Sequence, residues 1–233
     1  MNITKRVMIL ILVFLLPMSL VALDKDTLWS AITFADNPAS TQEAMALAVA
    51  NPDILKELLF ISDFEKDNSV GRGNAIVILL SCSINNLISQ EQFFSSVFSL
   101  LSRIEDYVHP SRLTVEKARI SMILGNYGFD PANNKFHLSL ADAFSTLITA
   151  IESMQEQGLI TNYGVARSLK TKIENAKKSY LKSSPGSVRA SINQVEAALN
   201  ELSAQTGKHL SEEASLILNK FCTNIVTALN GLP

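Results

Sequence analysis

From Ser139 onward the chain is cut at intervals by residues that a helix does not pass easily: Gly158, then Ser183-Ser184-Pro185-Gly186, then Gly207, and finally Gly231. Glycine adopts the left-handed conformation that ends a helix, and proline lacks the amide that a helix interior needs. Between these stops lie four segments, Ser139 to Gln157, Tyr163 to Leu181, Ser187 to Gln205 and Ser211 to Leu229. Each carries apolar residues at helical spacing, as in Leu140, Phe144, Leu147, Ile148 and Ile151, or Ile192, Val195, Leu199 and Leu202. Such stripes are core, and the short connections between them imply antiparallel packing. The opposite faces carry Lys and Glu, as in "RSLKTKIENAKKSYLK", the pattern of a solvated helix surface.

The first half shows the same signals in a less regular order. Ser40 and Glu43 form a capping box that opens "TQEAMALAVA", and Asn51-Pro52 closes that helix before "DILKELLFI". "GRGNAIVILLSCSINNLIS" is apolar enough for the centre of a bundle. Ser89 and Gln92 open "QEQFFSSVFSLLSRIEDYV", in which Phe93, Val97, Leu100, Leu101 and Ile104 share a face, and His109-Pro110 is expected to end it. "LTVEKARISMILGN" follows and stops near Gly125 and Gly128. No stretch sustains strand-like alternation and no repeat period is visible, so the fold class is all-α, two antiparallel helical bundles. "YGFDPANNKFHL" is dense in turn residues and is the expected boundary between residues 24–126 and 138–231.

Residues 1–23 read as a secretory signal peptide. Lys5 and Arg6 form a basic start, Val7 to Leu16 an apolar run, and Pro17 and Ser19 precede a small residue, Ala22. The rival is an uncleaved anchor, because the apolar run reaches Leu23. Both place the body of the chain outside the cytoplasm, periplasmic or secreted, with membrane contact only through this segment. No cysteine near the cut can accept a lipid. The 233 residues carry a formal net charge of −2, and removing Lys5 and Arg6 makes the remainder more acidic still. That balance lacks the basic footprint of a nucleic-acid binder. In an oxidising compartment Cys82 and Cys222 could pair and tie the halves together, yet both stand in apolar helical runs where a buried free thiol is equally natural.

The order "LITAIESMQEQGLITNYGVARSLKTKIENA", a turn with Gly186, then "ASINQVEAALNELSAQTGKHLSEEASLIL" resembles the FIMAH domain, a small helical module near the ends of secreted bacterial proteins. The likeness covers about residues 140–229 and rests on Gly158-Leu159-Ile160, Asn162, Gly164, Ser168-Leu169, Ala190, Ala204-Gln205-Thr206-Gly207-Lys208, Ala214 and Leu216. Where that family tends to carry an aromatic, Ala198 stands. The resemblance implies an extracytoplasmic accessory module without catalytic residues.

Motifs that carry chemistry are few. "SAQTGKH" is not a phosphate loop, since Leu202 stands where a glycine is required and His209 where a hydroxyl residue is required. A Gly-x-Ser-x-Gly nucleophile elbow is missing. His109, His137 and His209 are scattered, with no pair at ligand spacing, so no metal or cofactor is expected. Gly71-Arg72-Gly73 lacks the strand of a dinucleotide site and reads as a flexible helix connector. Trp29, Phe64, Phe93 and Phe94 read as core aromatics rather than a binding face. The expectation is a non-catalytic exported protein that contacts an unknown protein or an envelope polysaccharide. The alternative is an exported polysaccharide hydrolase using a glutamate among Glu65, Glu91, Glu105 and Glu116 as its acid.

Overall fold

The computed structural model of the chain describes residues 52–63 and 69–232. The expected signal segment 1–23, Trp29, the expected capping box of Ser40 and Glu43, Phe64 and Glu65 lie outside these residues. Among the described residues eight α-helices follow one another: α1 Pro52–Leu59, α2 Ser69–Ile84, α3 Gln90–Ser102, α4 Leu113–Gly125, α5 Leu140–Glu156, α6 Tyr163–Tyr180, α7 Pro185–Gln205 and α8 Glu212–Asn230. No helix among the described residues is long and apolar enough to cross a membrane.

The last four helices start where side-chain oxygens replace missing backbone partners. Ser139, Asn162, Ser184 and Ser211 accept from the amides of Asp142, Val165, Ser187 and Ala214, each cap contributing about 1 kcal/mol. Helix α7 begins two residues before the expected Ser187, because Ser184 caps it and Pro185 occupies its first turn, where an absent amide costs nothing. Gly158 and Gly207 take φ of +75° and +72°. The loops around them are stitched together: the Ser211 amide donates to the Leu159 carbonyl, and the Thr161 amide to that of His209.

Helices α5 to α8 form a closed square in which α5 packs on α6, α6 on α7, α7 on α8, and α8 again on α5. The first four helices then cover the outer side of α5 and α8. Helix α3 lies on α5, α4 lies on α8, and α2 and α1 complete that layer. One hydrophobic core runs from Leu58 to Leu229 without a break.

The expected boundary segment is therefore itself packed. It forms a two-stranded antiparallel hairpin, β1 Phe129–Asp130 with β2 Lys135–Phe136, in which Phe129 and Phe136 meet edge-on at 5.0 Å. Tyr127 just before it is fully buried against Phe93, Phe94 and Phe221, and its hydroxyl lies 2.9 Å from that of Ser83. Turn residues marked a reversal of the chain here, and the aromatics on either side anchor its flanks to the core while residues 131–135 stay exposed.

Two further differences arise in the first half. Helix α3 keeps its capping box of Ser89 and Gln92, but stops at Ser102 rather than at His109-Pro110. A 3-10 turn, Ile104–Asp106, follows and still buries Ile104. Gly71-Arg72-Gly73 is not a connector but part of the first turns of α2. A Cβ at Gly73 would stand 2.6 Å from the guanidinium of Arg119 on α4, so that side chain would have to shift to admit it.

Candidate functional site

Three places gather polar side chains that sequence spacing alone does not join. The first is built around Arg72, whose side chain is 0% exposed. Its Nε donates to the Leu59 carbonyl at 3.1 Å and its Nη2 to the Ile61 carbonyl at 2.7 Å and to Asp63 Oδ1 at 3.0 Å. The Asp63 carboxylate also accepts from the amide of His109. On the other side Glu116 lies 3.7 Å from Arg72 Nη1 and accepts from Arg119 Nη2 at 2.7 Å. Two guanidinium groups and two carboxylates thus balance within the fold. The Arg72 donors close the carbonyls of Leu59 and Ile61 at the end of α1, the task for which an arginine fork is suited.

Of the candidate glutamates, Glu116 has its carboxylate turned inward between two arginines. Glu105 is exposed and paired with Lys117, and Glu91 sits exposed in the first turn of α3. The histidines also stay apart. His109 caps the 3-10 turn Pro110–Arg112 through its ring, His137 is exposed beside the hairpin, and His209 belongs to the loop after Gly207. Among the described residues no three His, Cys, Asp or Glu side chains gather as a metal set would. Phe93 and Phe94 are core. Cys82 and Cys222 are both free and buried. Burial pushes the Cys222 thiol up to about 12 and raises that of Cys82, so neither is poised as a thiolate nucleophile.

The second place joins α6 to α7. Lys172 Nζ stands 2.7 Å from both Ser168 Oγ and Glu201 Oε2, and the serine hydroxyl donates to the same carboxylate. The spacing of Ser168 and Lys172, four residues apart on one helix, was the available signal for a Ser–Lys pair. A lysine engaged by a carboxylate is not a free base, and the serine proton points to Glu201 rather than to the amine. The arrangement is a brace between helices.

The third place is a cleft of about 720 Å³ at the end of the square where α6 and α8 finish and α7 begins. Tyr180, Val188, Ile192, Leu229 and Leu232 supply its apolar surface. Leu229 is buried, Val188 and Ile192 are half-buried, and Tyr180 leans on Phe144 with ring centres 6.0 Å apart. The rim is polar: Arg189, Asn193 and Glu196 from α7, Asn230 from α8, and Ser183 and Ser184 from the turn. Positions 189, 193 and 196 recur at helical spacing beside the stripe of Ile192, Val195 and Leu199, so the sequence did contain the rim. What it lacked was any sign that α8 would leave room there. The cleft is open to solvent, and the polar side chains contribute somewhat more of its exposed surface than the apolar ones. No protein-family model matches the chain, and no curated protein and no solved structure matches it either.

Proposed function

We propose that the chain is an exported, non-catalytic helical module that works by binding a protein partner in the cell envelope, with residues 140–229 forming a FIMAH-like unit. The observation that carries the reading is the cleft between α6, α7 and α8. It is open to solvent, and half-buried Val188 and Ile192 share its surface with an arginine, a glutamate and two asparagines. The buried position of Glu116 and the bracing role of Lys172 also fit a protein that binds without cleaving. Export follows from the basic and apolar order of residues 1–23.

The test is a pull-down from envelope fractions with the chain from Asp24 onward, beside an Ile192→Glu variant of unchanged circular dichroism and melting. A protein retained by the wild type and lost by the variant is the expected result. Equal capture by both would remove the cleft from the function. Retention of purified envelope polysaccharide instead would move the partner to that class. A phosphatase reporter fused after Leu23 tests export independently, with activity expected only if the segment carries it across the membrane.

A further inference from the structure

We infer that the outer face of α4 and α8 pairs with the same face of a second copy of this chain, antiparallel across a two-fold axis. The two helices run side by side in the same direction. Lys117 meets Glu213 at 3.1 Å near their starts, and about two turns further on the Asn224 amide meets the Gly125 carbonyl and Asn126 Oδ1, each at 3.1 Å. Below this seam lies the core, reached by Ile120 and Leu124 from α4 and by Ala214, Leu218, Phe221 and Ile225 from α8. Helical periodicity then turns residues 115, 118 and 122 of α4, and 212, 216 and 220 of α8, outward on one common face. Val115, Met122 and Leu216 are accordingly 70%, 66% and 57% exposed, and Ala118, Glu212 and Lys220 are exposed with them. Three large apolar side chains gathered on one two-helix ridge gain by leaving water together, which the same residues scattered singly would not.

The order of the charges identifies the occupant. Glu212 and Lys220 stand one turn before and one turn after Leu216 on α8. A two-fold axis that crosses both helices at Leu216 reverses the direction of the second copy, so Leu216 meets its own equivalent, while Glu212 faces the second copy's Lys220 and Lys220 its Glu212. Both charges are free for this, since neither side chain has a hydrogen bond or ion pair with any described residue. The contact of Lys117 with Glu213 brings Leu216 level with the stretch between Ala118 and Met122 on α4. There the same axis sets Val115 against the second copy's Met122, and the small Ala118 lets the two α4 helices approach. A face that is apolar at its centre and carries opposite charges at equal distances on either side is complementary to itself. It is also small: two helices in register over the length of α4, about 20 Å, lie at the lower end of specific interfaces, so the dimer is expected to dissociate in the micromolar range. This pairing is independent of the cleft and its role.

Sedimentation velocity of the chain from Asp24 onward, over about 1 to 200 µM, reads the mass. A shift from one copy toward two across this range is expected. Met122→Glu and Leu216→Glu, both at exposed positions outside the core, are expected to weaken the dimer by at least about ten-fold without changing the melting temperature. Glu212→Lys and Lys220→Glu each place like charges opposite one another twice, and each is expected to weaken it about five-fold. Mixing these two single variants is expected to restore the dimer, because only the mixed pair again sets opposite charges face to face at both places. One copy at every concentration overturns the proposal, and a lower melting temperature of Met122→Glu would then assign the face to another segment of the same chain. A dimer indifferent to Met122→Glu and Leu216→Glu overturns it as well. A dimer that needs both residues but is not restored by mixing the charge variants overturns the two-fold register.

Discussion

Helices α5 to α8 turn at the surface, through loops 157–162, 181–184 and 206–211, and a capping oxygen or a left-handed glycine closes each turn locally. Helices α1 to α4 instead connect through irregular backbone at 60–63 and 103–112 that touches the interior, and at the first of these the buried Arg72 side chain of α2 supplies the donors. The contrast follows from one requirement: a carbonyl that loses its helical partner must find another donor. At the surface water and caps serve, whereas inside only a long polar side chain can reach. The first half of the molecule therefore depends on a few residues, and the second on many small terms.

The largest expected effect tests that dependence. Arg72→Met removes the donors of Leu59 and Ile61 and the buried cation beside Asp63, while Glu116 keeps Arg119. The expected cost is about 3–5 kcal/mol, read from the shift in urea midpoint. Hydrogen exchange should rise first in residues 58–63 and 107–109, with α6 and α7 still protected. Equal loss of protection in α6 and α7 would show that the two halves are not held differently.

A smaller effect is expected at the seam between them. Asn224 of α8 is buried, and its amide donates to the Gly125 carbonyl and to Asn126 Oδ1, both at 3.1 Å. Asn224→Ala leaves that carbonyl without its donor at a cost of about 1–3 kcal/mol. Because one core spans both halves, a single cooperative transition at lower denaturant is expected. Two separated transitions would instead divide the molecule at residues 127–137.

Sequence and structure agree best where structure is local. The expected Ser211 cap, the stop at Gly207, and the box of Ser89 and Gln92 all lie where short-range spacing places them. What spacing could not show depends on distant partners. The end of α3 at Ser102 serves a turn that packs Ile104 and presents the Tyr107 carbonyl to the Asp63 amide. Gly71 and Gly73 looked like chain breakers, but Gly73 in α2 lies close against Arg119, which is 46 residues away along the chain. The cleft was hidden for the same reason: its rim lies on α7, whereas its emptiness depends on where α8 ends.

At Gly207 the comparison can be sharpened from the other side. A Cβ there meets nothing within 4 Å, so Gly207→Ala adds no clash and costs only the left-handed backbone, about 1 kcal/mol. Gly158→Ala should behave alike, since its surroundings are equally open. Thermal melting of the two variants should therefore show small, similar losses. A loss several times larger would mean that the stitched loops act as one buried unit, like the Arg72 region.

The smallest effect concerns Lys117 of α4, which bridges Glu213 of α8 at 3.1 Å and Glu105 at 3.3 Å. Burial presses the Lys117 pKa down, but the two carboxylates outweigh it and hold it above the ordinary lysine value. Burial presses Glu213 up, but its own backbone amide, Lys117 and Ser211 outweigh that and hold it below the ordinary carboxyl value. A lowered acid stabilises the fold above its unfolded pKa and loses that contribution as pH falls through the folded one. A raised base does so below its unfolded pKa and loses it as pH rises through the folded one. Both contributions are thus complete near neutrality. Lys117→Met is expected to cost about 0.5 kcal/mol there, because both ends are partly solvated. The gap between wild type and variant should stay level from about pH 6 to 9 and close at both extremes. A gap that persists in acid would assign the loss to packing of the lysine stem, and the seam between the halves would then be apolar at this point as well.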